Sequence, residues 1–254
     1  MSHSGPDLLT ISPQMLVRAP FVDTDRALRT AYPAFDLAWL AARLGDGLQI
    51  RMLPQPGTGL VLFCPGQMAW RPVLGVAAFA MVHDLRVMPG PRAAADAAQL
   101  WRGVEDWARY FGYAGVAALI GDGPGLVPRG YLPRRHYACV DQGRSGEDLI
   151  VRVLQGPVAL PQLARDCAER AARLGPGLVV QTTGEATALA ARAERVLRVA
   201  RRWGLPARLE RFQTAADTQA HAVNPAALFG VWRDGVQIGG PGTSDAELRK
   251  RITA

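Results

Sequence analysis

Between Gly75 and Val87 the chain is almost continuously apolar, and the three exceptions are His83, Asp84 and Arg86. A histidine beside an aspartate supplies two groups that can take or give a proton during a reaction. An apolar run of this kind reads as a strand covered on both faces. On a regular strand neighbouring side chains point to opposite faces, which would part the two groups. A lone histidine in such a strand also serves structurally, its ring satisfied by neighbours, and the sequence leaves both readings open. Sulfur chemistry finds less support. Cys64, Cys139 and Cys167 are widely spaced, odd in number and form no CxxC pair, so neither a disulfide framework nor a metal site is expected. Cys64 sits in an apolar, strand-like run and reads as a small core residue.

The elements that would position these residues follow from pattern and punctuation. Asp7 to Val17 suits a first strand running into a helix start at Ser12-Pro13. Phe35, Leu37, Leu40 and Leu44 fall at helical intervals, and Gly45 ends that helix. Leu48 to Leu53 and Gly59 to Cys64 read as a hairpin around a Pro- and Gly-rich turn. Pro89-Gly90-Pro91 closes the long apolar run, and a helix follows from Ala93 to Tyr110 with Leu100, Val104 and Trp107 on one stripe. Gly115 to Ile120 is a second buried strand and Leu149 to Leu154 another, so a right-handed parallel β-α-β unit is expected.

Gly156-Pro157 and Leu160-Pro161 mark a boundary, and an Arg/Glu-rich helix from Gln162 to Leu174 leads to a second break at Gly175-Pro176-Gly177. The β-α-β order then restarts: strand Leu178 to Thr182, helix Ala188 to Trp203 and strand Ala207 to Phe212. An irregular loop, strand Ala227 to Arg233, an Asp234-Gly235 hairpin turn, strand Val236 to Gly239 and a helix from Asp245 complete it. The expected organisation is an α/β domain over 1–155, a helical linker over 156–176 and a smaller α/β domain over 177–254.

Composition excludes several classes. With 49% hydrophobic and 20% charged residues the chain can bury a core, which argues against disorder. No apolar run approaches the roughly 18 residues of a membrane helix, and the start Met1-Ser2-His3-Ser4-Gly5-Pro6 has no secretion-signal pattern. A cytoplasmic location is expected. The net charge of +7 is almost wholly arginine, Lys250 being the single lysine, as codon bias in a GC-rich bacterial genome would give. The arginines are scattered without an aromatic-interleaved stripe, so no nucleic-acid partner is expected.

The run Pro65-Gly66-Gln67-Met68-Ala69-Trp70-Arg71-Pro72-Val73, followed by Met81-Val82-His83-Asp84-Leu85-Arg86-Val87, resembles GNAT-family N-acetyltransferases that carry a C-terminal YoaP-like, thioredoxin-like domain. The resemblance spans nearly the whole chain and implies a GNAT-like mixed sheet followed by a small thioredoxin-like α/β domain. It implies transfer of acetyl from acetyl-CoA to a small-molecule or peptide amine. In such a fold the central strand splays from its neighbour and its backbone pairs with the pantetheine arm, which falls on Leu85, Arg86 and Val87. The next helix start holds the diphosphate, because its first amides are unpaired and its dipole end is positive. That start is Arg92-Ala93-Ala94-Ala95-Asp96-Ala97; Ala95 stands where the family has its middle glycine, and Asp96 adds a negative charge. His83 and Asp84 are then the candidate catalytic bases, with His136 and Tyr137 as a second choice. The family's tyrosine acid, four residues before a Gly-Phe pair, is absent: the pair is Gly130-Tyr131 and Leu126 occupies the place.

In the second domain Asn224-Pro225, Leu228 to Trp232 and Asp234-Gly235 resemble the thioredoxin pattern, in which a proline that is usually cis precedes the third strand. Gln181 to Thr187 holds no cysteine, which excludes thiol exchange there. Asn224 and Pro225 remain as a candidate peptide- or partner-binding position. The alternative to an enzyme is a catalytically degenerate scaffold of the same shape that binds a protein partner.

Overall fold

The chain is described from a computed structural model, over residues 8–18, 35–54, 59–123, 125–133, 136–144, 146–226 and 228–253. Apolar strands of the first half assemble an eight-stranded mixed sheet. Its members are β1 (Leu9–Thr10), β2 (Gln49–Met52), β3 (Gly59–Pro65), β5 (Phe79–Val87), β6 (Gly115–Gly121), β7 (Val127–Pro128), β8 (Ala138–Gln142) and β9 (Asp148–Val153). A short β4 (Val73–Leu74) lies apart from it. The order is β1-β2-β3-β5-β6-β9-β8, with β7 paired to β6 off that path. Neighbours run antiparallel except at β5/β6 and β6/β7, which are parallel.

Helix α1 (Leu37–Gly45) opens on Asp36, whose Oδ1 accepts the Trp39 amide at 2.9 Å, an N-cap that satisfies one orphan donor. Helix α2 (Ala93–Tyr110) crosses from β5 to β6 and buries Leu100, Trp101, Val104 and Ala108 against Val61, Phe63, Val82 and Val116. The opposite sheet face gathers Ile50, Leu60, Leu62, Phe79 and Met81, with Phe35 and Trp39 beside them. Both faces of β5 are therefore covered, as its apolar run requires.

After β9 the chain forms β10 (Gln162–Leu163), antiparallel to β4, and then a short α3 (Cys167–Arg173). The expected helix from Gln162 is thus confined to its second half. Leu163 is taken by pairing with Val73, and the Ala164 amide donates to Pro72 O.

The second sheet has four strands, β12-β11-β13-β14. Strands β11 (Leu178–Thr182) and β12 (Ala207–Arg211) are parallel across α4 (Thr187–Arg202). Strands β13 (Phe229–Arg233) and β14 (Val236–Gly239) run antiparallel, and α6 (Asp245–Thr253) follows them. Asp234 and Gly235 both take positive φ, 52° and 78°, as a type I′ hairpin turn demands. This is a small α/β arrangement, and it packs its own core of Leu178, Val180, Val196, Phe229, Val231 and Leu248. The stretch expected as an irregular loop contains helix α5 (Ala215–His221), capped by Thr214, whose Oγ1 accepts the Asp217 amide.

Candidate functional site

Strands β5 and β6 pair only from Phe79–Val82 to Gly115–Ala118. Beyond Ala118 they part, so the sheet opens into a wedge at the end of β5 that leads into α2. Strand β9 holds the far edge of β6 through Ile120, so the near edge faces the wedge. There the chain fills the space itself: Val127 and Pro128 pair in parallel with Ile120 and Gly121. Val127 is fully buried in the cluster that holds Val82, Leu85 and Val87 of β5. The resemblance implies an open wedge for an extended ligand arm; the wedge exists and β7 occupies it.

Register explains where His83 and Asp84 point. Leu62 pairs with Asp84 and Phe63 with Val82, which leaves His83 as the extra residue of a β-bulge. The bulge breaks the alternation expected from a regular strand. His83 Nε2 accepts the Trp70 amide at 3.2 Å, and Trp70 meets Trp39 of α1 edge-on at 5.4 Å. Asp84 Oδ2 takes Arg86 Nε at 2.9 Å, and the Arg86 guanidinium lies 3.7 Å from the Phe35 ring. Both side chains thus stand on the α1 face rather than on opposite faces.

His83 is buried, and desolvation with the nearby Arg71 charge holds its pKa well below the usual imidazole value. A neutral ring that accepts at Nε2 keeps its proton on Nδ1, which is buried without a partner among the described residues. As placed, neither nitrogen offers a lone pair to a substrate. The sign of its effect on stability is fixed. Below about pH 6.5 the unfolded chain protonates this histidine and the folded one does not, so stability falls as pH falls. The expected slope approaches about 1.4 kcal/mol per pH unit. Urea titrations from pH 7 to 5 should show that slope in the wild type and its loss in His83→Gln; parallel curves would contradict the assignment.

Burial also pushes the Cys64 thiol up, so it stays protonated and unreactive inside the core. The second-choice pair lies elsewhere. Tyr137 packs on Trp101 at 4.9 Å between centroids and donates to Glu105 Oε1 at 3.1 Å, on the α2 side of the sheet. It does not join His83, and His136 is its immediate neighbour there.

At the start of α2, Arg92 occupies the N-cap position with no side-chain cap bond, and Asp96 sits in the first turn. The amides of Ala94 and Ala95 find no acceptor among the described residues. The Arg92 side chain is 78% exposed and its guanidinium stands 3.5 Å from the Asp96 carboxylate. Asp96 is buried, as is Ala97, while Ala94 and Ala95 face solvent. A cavity of about 290 Å³ beside them is lined by Leu53, Met88, Gly90, Arg92, Ala93 and Asp96. Leu85, Arg86 and Val87 are buried. The helix start therefore suits an anion, whereas the path along β5 that acetyl-CoA's arm would need is filled. The residues present fit the diphosphate end of that molecule and, with β7 in place, do not fit its pantetheine end.

No protein-family profile matches the chain, and no curated protein sequence matches it. It is similar to a solved acetyltransferase from Thermus thermophilus. The two are 14% identical with a TM-score of 0.37, over 58% of this chain and 96% of the other.

The region of residue 71 holds the groups that local patterns did not reveal. Arg71 is 1% exposed and donates from Nη1 to Trp70 O at 2.8 Å and from Nη2 to Gly125 O at 3.4 Å. The same guanidinium reaches both carboxylate oxygens of Glu185, between β11 and α4, at 3.3 and 3.1 Å. Gln219 Nε2 donates to Ala69 O at 2.8 Å, and Phe35 bridges to Ala186. The Pro65–Val73 run is thus where the two sheets meet. Asn224 and Pro225 line a separate cavity of about 240 Å³ with Glu147, Arg165, Cys167 and Gln237. The described residues contain no cis peptide bond, so Asn224–Pro225 is trans and the cis proline implied by the resemblance is absent. No described helix is long and apolar enough to cross a membrane.

Proposed function

We propose that this chain is a GNAT-type acyltransferase of the bacterial cytoplasm, moving an acetyl group from acetyl-CoA to a small-molecule or peptide amine. The observation that supports it is the parallel β5/β6 pair that parts after Val82 and Ala118, beside a bulge at His83, and runs into a helix start whose Ala94 and Ala95 amides find no acceptor among the described residues. In this reading Arg92 and the Ala94 and Ala95 amides take the diphosphate, and Leu85, Arg86 and Val87 border the arm. Asp84 is the proton acceptor, since its Oδ1 accepts no bond among the described residues. Isothermal titration with acetyl-CoA tests it: binding at millimolar cofactor or better is expected, with Arg92→Ala weakening it several-fold, about 1 kcal/mol for one lost charge contact. Absence of heat and of a thermal shift would end the reading.

A second reading, a non-catalytic scaffold that recognises a protein partner, is favoured by the wedge being filled by Val127 and Pro128 and by His83 Nε2 being committed to the Trp70 amide. A stoichiometric complex isolated from cells, together with no acetyl-CoA affinity, supports it. Acetyl transfer that Arg92→Ala abolishes would overturn it.

A further inference from the structure

The segment that fills the wedge is fastened at two ends by different parts of the molecule. Its far end is held by the first domain, where Trp101 Nε1 of α2 donates to Tyr131 O at 2.9 Å. Its near end departs from β6 through Gly121, Gly123 and Gly125. At Gly125 φ is +82°, and an added Cβ would stand 3.0 Å from Leu228 Cδ2 of the second domain. Leu228 is itself fixed, its carbonyl accepting Thr182 Oγ1 at 2.9 Å. The Gly125 carbonyl takes Arg71 Nη2, and that guanidinium is held in turn by Glu185. Leu126, next in sequence, lies over Gly121, where a Cβ would meet its Cδ1 at 2.5 Å.

We infer that the second domain is an intramolecular lock: through Glu185 and Leu228 it pins the 125–131 strap in the wedge, so that domain docking and ligand entry between β5 and β6 exclude one another. The ligand class rests on the acyl-CoA reading above; the coupling of strap to domain does not. With strap and arm needing the same edge of β6, an acyl-CoA arm enters only when Val127 and Pro128 leave. Gly125, at φ +82°, is a point where the strap turns without the strain a side chain would bring. Loosening the contact at Gly125 is therefore sufficient to raise the population of open wedge.

The test uses the full chain and two variants. Glu185→Gln keeps the shape of the side chain and removes the charge that holds Arg71. Gly125→Ala acts at the clamp itself, crowding Leu228 at a positive φ. Hydrogen exchange should quicken about tenfold or more at residues 126–132 in both variants, while β11 and α4 keep their protection. Acetyl-CoA affinity should rise by about the same factor in titration calorimetry. Unchanged strap exchange in both folded variants overturns the lock. Faster strap exchange with no gain in acetyl-CoA affinity supports the lock and removes the acyl-CoA reading of the wedge.

Discussion

Glu185→Ala is expected to lower the unfolding free energy by about 3–5 kcal/mol, because it strands the Arg71 charge in the interior. The side chains of Arg71 and Glu185 are 2% and 9% exposed, and 114 residues separate them in sequence. Removing the carboxylate leaves two guanidinium hydrogen bonds unmade. The Trp70 and Gly125 carbonyls that Arg71 also serves cannot neutralise it. Replacing both partners by apolar residues of similar size, Arg71→Met with Glu185→Leu, should restore most of the loss, since the two desolvation costs vanish together. Equilibrium urea unfolding of the wild type, Arg71→Met, Glu185→Leu and the double variant measures the coupling directly. A single-variant loss below about 1 kcal/mol, the value of an exposed pair, would show that the contact does not fasten the two sheets.

That ion pair also shows why part of the molecule was legible in the sequence and part was not. Helix α2 runs from Ala93 to Tyr110 as its apolar stripe and the Pro89-Gly90-Pro91 break require. The β13–β14 hairpin follows from Asp234-Gly235, a turn whose backbone only such residues adopt easily. Those signals are local. Strand β7 is two residues long, and its partner and its place in the wedge are set by tertiary packing, so a Gly- and Pro-rich stretch gives no sign of it. Helix α5 has seven residues, too few for a periodicity to show, although its Thr214 cap was a readable start signal. The candidate site divides the same way. The start of α2 at Arg92 is readable from the Pro89-Gly90-Pro91 break before it. The commitment of His83 to Trp70 depends on a bulge, and one inserted residue reverses the facing that alternation predicts. The Arg71–Glu185 pair has no local pattern at all, and the structure alone brings it together.

The Pro65–Val73 run, which carried the family resemblance, is a joint in this molecule, and Gly66 is its tightest point. A Cβ at Gly66 would lie 1.8 Å from Val76 O, 2.6 Å from Val76 C and 2.9 Å from Phe79 O. All three are backbone atoms at the entry to β5, so no rotamer change can relieve the overlap. The turn carrying Gly66 to Met68 must lift, and with it Ala69 and Trp70. Trp70 then loses its packing on Trp39 and Arg43, and its amide leaves His83 Nε2. Gly66→Ala is therefore expected to cost about 3 kcal/mol or more, at or beyond the upper end of ordinary overpacking. The urea midpoint reads the cost, and the His83 ring resonances report the mechanism: freed from the Trp70 amide, the imidazole gains access to water and titrates at higher pH than in the wild type. A variant within about 1 kcal/mol of wild type, with His83 still silent on acidification, would mean that the loop yields where its backbone contacts say it cannot, and the joint would have to be sought at Arg71 alone.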